Sequence, residues 1–164
     1  MKYFAYGSNL NIKHMKWRCQ DAVPLGAYTL QGYQLVFRYY ADLMPAQDNS
    51  VKGGLWEISE EDEKLLDRYE GYPSLYEKYY DGDIMFYRML DNARDIELPG
   101  LGYLEGMLEG MENFGLSPLE DLNNNLGEPP TQGLVREGDL LQRAMHLIAD
   151  AMGIQLLDED SITV

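Results

Sequence analysis

Three short stretches carry side chains that could do chemistry. The first is Tyr6-Gly7-Ser8-Asn9-Leu10. A glycine lets backbone approach a ligand closely, and the amides of such a loop can converge on an anion or a developing oxyanion. Ser8 and Asn9 add side-chain donors, although the same residues would also make an ordinary strand-to-helix turn with an asparagine cap. The second stretch is Leu66-Asp67-Arg68-Tyr69-Glu70-Gly71-Tyr72-Pro73, followed by Tyr76. Glu70 falls at the C-terminal end of an expected helix, where the dipole disfavours negative charge, and tyrosines at 69, 72 and 76 surround it in sequence. Both effects raise a carboxyl pKa toward the range useful to a general base. A surface glutamate beside a capping glycine is the plainer alternative. The third is Gly102-Tyr103-Leu104 through Gly110, an amphipathic helix whose Tyr103 could present its hydroxyl to a pocket.

These residues need elements to hold them. Residues 2–6 read as a short buried strand broken by Gly7-Ser8-Asn9, and residues 11–19 as a helix capped by Asn9 or Asn11. Strands are expected at about 25–31 and 33–39 with a turn at Gly32, and again at 53–58. Ser59 followed by Glu60, Glu61, Asp62 and Glu63 marks a helix start, since acids favour the first turn. That helix ends at Gly71 and Pro73. Residues 76–80 and 84–90 flank Asp81-Gly82-Asp83 as a hairpin. From Leu101 the period becomes helical, with a stop at Gly115, a second helix from Ser117-Pro118, a loop over 127–138 and a last helix over about 137–152. The tail 154–164 could add a strand. Strands first and helices later predict an α+β domain whose mixed sheet curls into a small barrel. No repeat or linker divides residues 1–164, so one domain is expected, with 127–164 as a C-terminal extension.

Charge narrows the function classes. The chain has 28 acids against 13 Lys and Arg, a net charge of −15. Residues 1–90 hold 13 acids and 10 bases, whereas residues 91–164 hold 15 and 3. Such a surface repels phosphate backbones and anionic lipid, so neither nucleic acid nor membrane is an expected partner. One cysteine, Cys19, excludes an internal disulfide and fits a reducing compartment. No apolar run approaches the ~18 residues of a membrane span, and the N-terminus enters a strand without a signal-peptide core. A cytoplasmic location is the expectation. Thirteen tyrosines against four phenylalanines suggest a lined cavity or half-wet surface.

Together the stretches resemble one family. Residues 3–10 (Tyr-Phe-Ala-Tyr-Gly-Ser-Asn-Leu) are similar to the opening signature of the γ-glutamylcyclotransferases and their BtrG-type and AIG2-like relatives. The likeness continues in order through Arg18, residues 27–37, Gly54-Leu55-Trp56-Glu57-Ile58, residues 66–73 with Tyr76, and Tyr103-Leu104 with Gly110 and Gly115-Leu116. It spans roughly residues 3–126 and departs after about 127. The resemblance implies a compact six-stranded barrel with flanking helices. It implies that Glu70 is the general acid/base, that Tyr6, Gly7, Ser8, Asn9 and Leu10 hold a glutamyl head, and that Tyr76 and Tyr103 line the pocket. The implied reaction closes the α-amine of a γ-glutamyl amide onto its own γ-carbonyl, giving 5-oxoproline and a released amine or amino acid. It needs no metal or cofactor, and the implied partner is a small γ-glutamyl substrate, with a homodimer possible.

Two other settings compete. The same pocket could bind a small metabolite without turnover, or the enzyme could remove a γ-glutamyl protecting group from a biosynthetic intermediate instead of serving glutathione or peptide metabolism. Cys19 with His14 or His146 could suggest a thiol nucleophile, but Met15, Trp17 and Cys19 read as packing. The acidic runs 60–63 and 158–160 lack the spacing of a calcium loop.

Overall fold

The computed structural model describes residues 1–116. The expected helices from Ser117 and over 137–152, the loop 127–138, the tail 154–164 and His146 lie outside the described residues. Eight regular elements are present: β1 (Lys2–Ala5), α1 (Ile12–Arg18), β2 (Val23–Arg38), β3 (Tyr40–Glu57), α2 (Glu60–Glu70), β4 (Tyr76–Asp81), β5 (Ile84–Met89) and α3 (Leu101–Asn113). A single 3₁₀ turn over Ser8–Leu10 joins β1 toward α1. The α+β class and mixed sheet stand. Strand order is β2-β3-β1-β5-β4, with β1 antiparallel to β3 and parallel to β5.

Two details depart from the sequence reading. Five strands, not six, form the sheet among the described residues, and the backbone ladder does not close into a barrel. Side chains instead draw the two edges together: Tyr28 of β2 hydrogen-bonds Asp81 of β4 at 3.2 Å. The second departure is at Gly32, which is a bulge inside one long strand and not a turn between two. Pairing jumps from Gln31↔Ser50 to Tyr33↔Pro45, so residues 46–49 oppose the single Gly32. Its φ of +79° is a conformation that glycine adopts without steric cost. The real turn is at Tyr39, between the paired Arg38 and Tyr40.

That bulge lets the outer half of the β2–β3 hairpin fold over β5. The Arg88 side chain donates to the Leu43 carbonyl at 2.8 Å, the Met89 amide donates to Asp42 Oδ1 at 2.8 Å, and Tyr33 meets Phe86 edge-on with centroids 5.3 Å apart. Beneath the curl lies one core containing Phe4, Leu30, Leu43, Trp56, Met85 and Phe86. Such interdigitated burial is the main stabilising term of a domain this size.

The helices dock by local rules. Asn11 caps α1 by accepting from the Lys13 and His14 amides. Ser59 and Asp62 form a reciprocal capping box on α2, and Gly71 in a left-handed conformation ends it. α3 lies against the Ser8–Leu10 turn because Gly110 has no side chain; a Cβ there would stand 2.5 Å from the Asn11 nitrogen and 2.6 Å from the Leu10 carbonyl carbon. Asn11 ties the same junction by donating to the Gly106 carbonyl and to Glu109.

Those contacts are backbone and cannot swing aside. Gly110→Ala is therefore expected to cost about 1–3 kcal/mol in chemical denaturation, the usual range for overpacking. Gly102→Ala, on the same helix but with nothing within 4 Å of the new Cβ, should be neutral or stabilising by up to about 1 kcal/mol.

Candidate active site

A cavity of about 310 Å³ opens where the Gly7–Asn9 loop, the end of α2, the tip of the β2–β3 hairpin and the start of α3 meet. Glu70 is the last residue of α2, and its helix is anchored by buried Leu66 and the Ser59 capping box. This fixes the carboxyl as part of the wall. Glu70 is half-buried, and Asn9 Nδ2 donates to its Oε1 at 2.7 Å. The same Nδ2 donates to Tyr3 Oη at 2.8 Å. Arg18 donates to Asn9 Oδ1 and, at 2.6 Å, to Tyr69 Oη, with its guanidinium 3.7 Å from the Tyr69 ring centroid. Arg18 thus orients the amide: its donors claim the oxygen of Asn9, which turns the NH₂ toward Glu70.

Burial raises the Glu70 pKa from an ordinary 4.5 to about 7; the Asn9 hydrogen bond and the Arg18 charge pull the other way and are outweighed. The sequence reading ascribed such a rise to the helix dipole and nearby tyrosines. The structure puts desolvation first. The tyrosine hydroxyls around it, Tyr3, Tyr76 and Tyr103, are themselves pushed up by burial and by the Glu70 charge, so they stay protonated and can donate.

Most residues singled out by the sequence converge here. Tyr6, Gly7, Ser8, Asn9, Tyr76 and Tyr103 all line the cavity with Glu70. Leu10 does not. It is fully buried against α3, and its amide closes the turn onto the Gly7 carbonyl at 3.0 Å, so the final member of the loop is a core residue. Tyr103 Oη accepts from the Ala41 amide at 3.0 Å. Gly7 permits this: a Cβ would sit 2.8 Å from that oxygen. Tyr76 donates to the Ala41 carbonyl at 2.9 Å, and Tyr6 to the Tyr87 carbonyl at 2.7 Å.

Sequence reasoning missed Tyr3, Tyr40, Ala41, Leu75, Tyr87 and Arg94, which complete the wall. Tyr40 and Ala41 arrive only through the curl of the hairpin, and no local pattern announces that. Tyr3, four residues before Gly7 on a strand buried from Tyr3 to Ala5, was the one accessible signal. Among the described residues Cys19 is placed as a core residue and not as a nucleophile: it is buried, its Sγ faces the Asp62 carbonyl at 3.6 Å, and burial and Asp62 push the thiol up to about 11.

A carboxyl with a folded pKa above its unfolded value holds a proton that the unfolded chain releases. Its contribution to stability therefore falls as pH rises from about 4.5 to about 7. Glu70→Gln removes the charge while retaining an acceptor for Asn9. Melting curves should show the variant more stable than wild type at pH 8, by about 1–2 kcal/mol after allowing for the partial solvent access of the cavity. The difference should vanish near pH 4.5.

Comparison with known proteins agrees with this geometry. The γ-glutamyl cyclotransferase, AIG2-like family model matches residues 3–82, a span that contains the Gly7–Asn9 loop, Glu70 and Tyr76. A search of curated proteins finds no match. Among solved structures, a γ-glutamyl cyclotransferase is similar with a TM-score of 0.61 at 20% identity, over 87% of this chain and 98% of that one. An uncharacterized human protein gives 0.61 at 22% identity, over 86% and 97%. YkqA from Bacillus subtilis gives 0.58 at 26% identity, over 80% of this chain and 56% of that one. Residues 3–82, just under half of the chain, match the γ-glutamyl cyclotransferase, AIG2-like family model, and the fold is similar to that of a solved γ-glutamyl cyclotransferase.

Proposed function

We propose that the chain cyclises a γ-glutamyl amide to 5-oxoproline and releases the attached amine, with Glu70 as general base and then general acid. The observation that carries this reading is the Asn9–Glu70 hydrogen bond at 2.7 Å inside a tyrosine-lined cavity, with the carboxyl pKa near 7. A base with that pKa divides evenly between its two forms at neutral pH, so it can both take and return a proton.

The substrate supplies its own nucleophile. Its α-ammonium gives a proton to Glu70, and the freed amine attacks the γ-carbonyl carbon to form a five-membered ring. The carbonyl electron pair moves to oxygen. The Gly7–Asn9 loop and the Tyr103 hydroxyl, whose oxygen accepts from the Ala41 amide and whose proton is uncommitted, line the cavity and are available to that oxyanion. Collapse of the intermediate expels the leaving nitrogen, which takes the proton back from Glu70, and the ring nitrogen gives up its second proton through Glu70 to the departing amine, leaving a neutral lactam and an ammonium ion. The cavity also folds the flexible glutamyl chain into its cyclising conformer, an effect worth up to about 7–11 kcal/mol in favourable intramolecular cases. The chemistry balances as an isomeric exchange of one amide bond for another, followed by separation of the amine.

Release of 5-oxoproline from a panel of γ-glutamyl amino acids and γ-glutamyl amines tests the reading. Wild type should turn over at least one member, and Glu70→Gln should lower kcat/KM by about 10²–10⁴, the usual worth of a general base. Because the base must be ionised, kcat/KM should rise with pH and level off above about 7. Asn9→Ala removes a bond that favours the charged form, so its acid limb should move upward in pH. Inactivity on every member, or a Glu70→Gln variant as active as wild type, overturns the proposal.

A further inference from the structure

Among the described residues, Arg94 is the one Lys or Arg that lines the cavity. Arg18 is committed to Asn9 and Tyr69, Arg38 to Asp42, and Lys78 to Glu63 and Asp67. The Arg94 guanidinium lines the cavity and, among the described residues, meets no carboxylate. It lies 5.4 Å from the Tyr39 ring centroid and 5.5 Å from that of Tyr40, and these rings bias it without using its N–H donors.

The backbone that carries it is fastened. Buried Arg38 donates from Nε to the Arg94 carbonyl at 2.6 Å and from its terminal nitrogen to the Asp91 carbonyl at 2.7 Å. Its other terminal nitrogen meets Asp42 Oδ2 at 3.1 Å. Three residues further on, the Tyr39 amide donates to the Glu97 carbonyl and the Glu97 amide to the Phe37 carbonyl. A surface loop held at both ends in this way presents a charge at a set place.

That place is in the cavity wall, next to Tyr40. Tyr103 Oη packs on Gly7, the Tyr40 and Tyr103 ring centroids are 5.6 Å apart, and the Arg94 guanidinium is 5.5 Å from the Tyr40 ring, all in the cavity that Glu70 lines. With a substrate amine at Glu70 and its carbonyl at the loop, Arg94 is the cation that the cavity offers to the departing half. In a γ-glutamyl amino acid the leaving carboxylate is three bonds from the scissile carbon, roughly 3–4 Å. A guanidinium fork then reaches it across about 3 Å of hydrogen bond. We propose that Arg94 reads a carboxylate on the departing half, so that the chain takes γ-glutamyl conjugates of amino acids or peptides in preference to those of simple amines. The assignment rests on the cyclisation reading for its orientation.

Two isosteric ligands separate the possibilities, γ-glutamyl-alanine and γ-glutamyl-alaninamide, which differ in one charge. Their kcat/KM ratio should be at least tenfold in favour of the acid for wild type, fall to within twofold in Arg94→Gln, and recover in part in Arg94→Lys. Calorimetric Kd values for the same pair in Glu70→Gln protein, with and without Arg94→Gln, give the ratio without turnover. A wild-type ratio near one, or a tenfold ratio that survives Arg94→Gln, overturns the Arg94 assignment while any turnover leaves the cyclisation reading standing. A tenfold binding ratio that needs Arg94, with no turnover, supports the assignment and overturns cyclisation. Absence of binding by both ligands overturns both.

Discussion

The hydrogen bond from Asn9 to Glu70 is the constraint on which the rest of the molecule turns. A carboxylate removed from bulk water must neutralise itself or find donors. Here it does some of each, since burial lifts the Glu70 pKa to about 7 while Asn9 and, at longer range, Arg18 hold the charged form within reach. A stronger partner, such as a direct ion pair with Arg18, would fix the group as a permanent anion. With Arg18 spent instead on the Asn9 oxygen and on Tyr69, the carboxyl keeps a proton it can exchange. This is the same balance of burial against partial compensation that tunes buried acids generally.

Much of the architecture can be understood as upkeep of that bond. Asn9 is in a 3₁₀ turn that α3 clamps through Gly110 and Asn11, and Glu70 is at the end of a helix whose start is fixed by Ser59 and Asp62. The cavity roof comes from a different source. The irregular pairing around Gly32 lets the hairpin tip swing over β5, where Asp42 accepts from the Met89 amide and Ala41 accepts from Tyr76. One bulge therefore converts a flat hairpin into the wall opposite the carboxyl.

The sequence was informative wherever the cause is local. An apolar run, a capped helix start and a tight-turn sequence located β1, α2 and the β4–β5 hairpin, because the side chains that decide them are neighbours in the chain. Glu70 and the Gly7–Asn9 loop were legible for a similar reason: each combines residue types that a plain turn or helix end does not require. Gly32 misled, since a glycine with positive φ serves a bulge as well as a turn, and the deciding fact is the four extra residues some fifteen positions later. Leu10 was carried along by its neighbours in the motif, although a leucine beside a glycine on α3 has more to gain from the core. Tyr40, Ala41 and Arg94 were invisible because their place depends on the curl and on the buried Arg38 anchor, both products of contacts far apart in sequence.

The central claim concerns one proton, and it can be observed without any substrate. Carbon-13 spectra of protein labelled at glutamate side-chain carboxyls, recorded across pH with Glu70→Gln to assign the signal, report that carboxyl alone. The account predicts a midpoint for Glu70 near 7, well separated from the other glutamates. A midpoint at the ordinary 4.5 would mean that the group is as wet as any surface acid, and would contradict the account at its base.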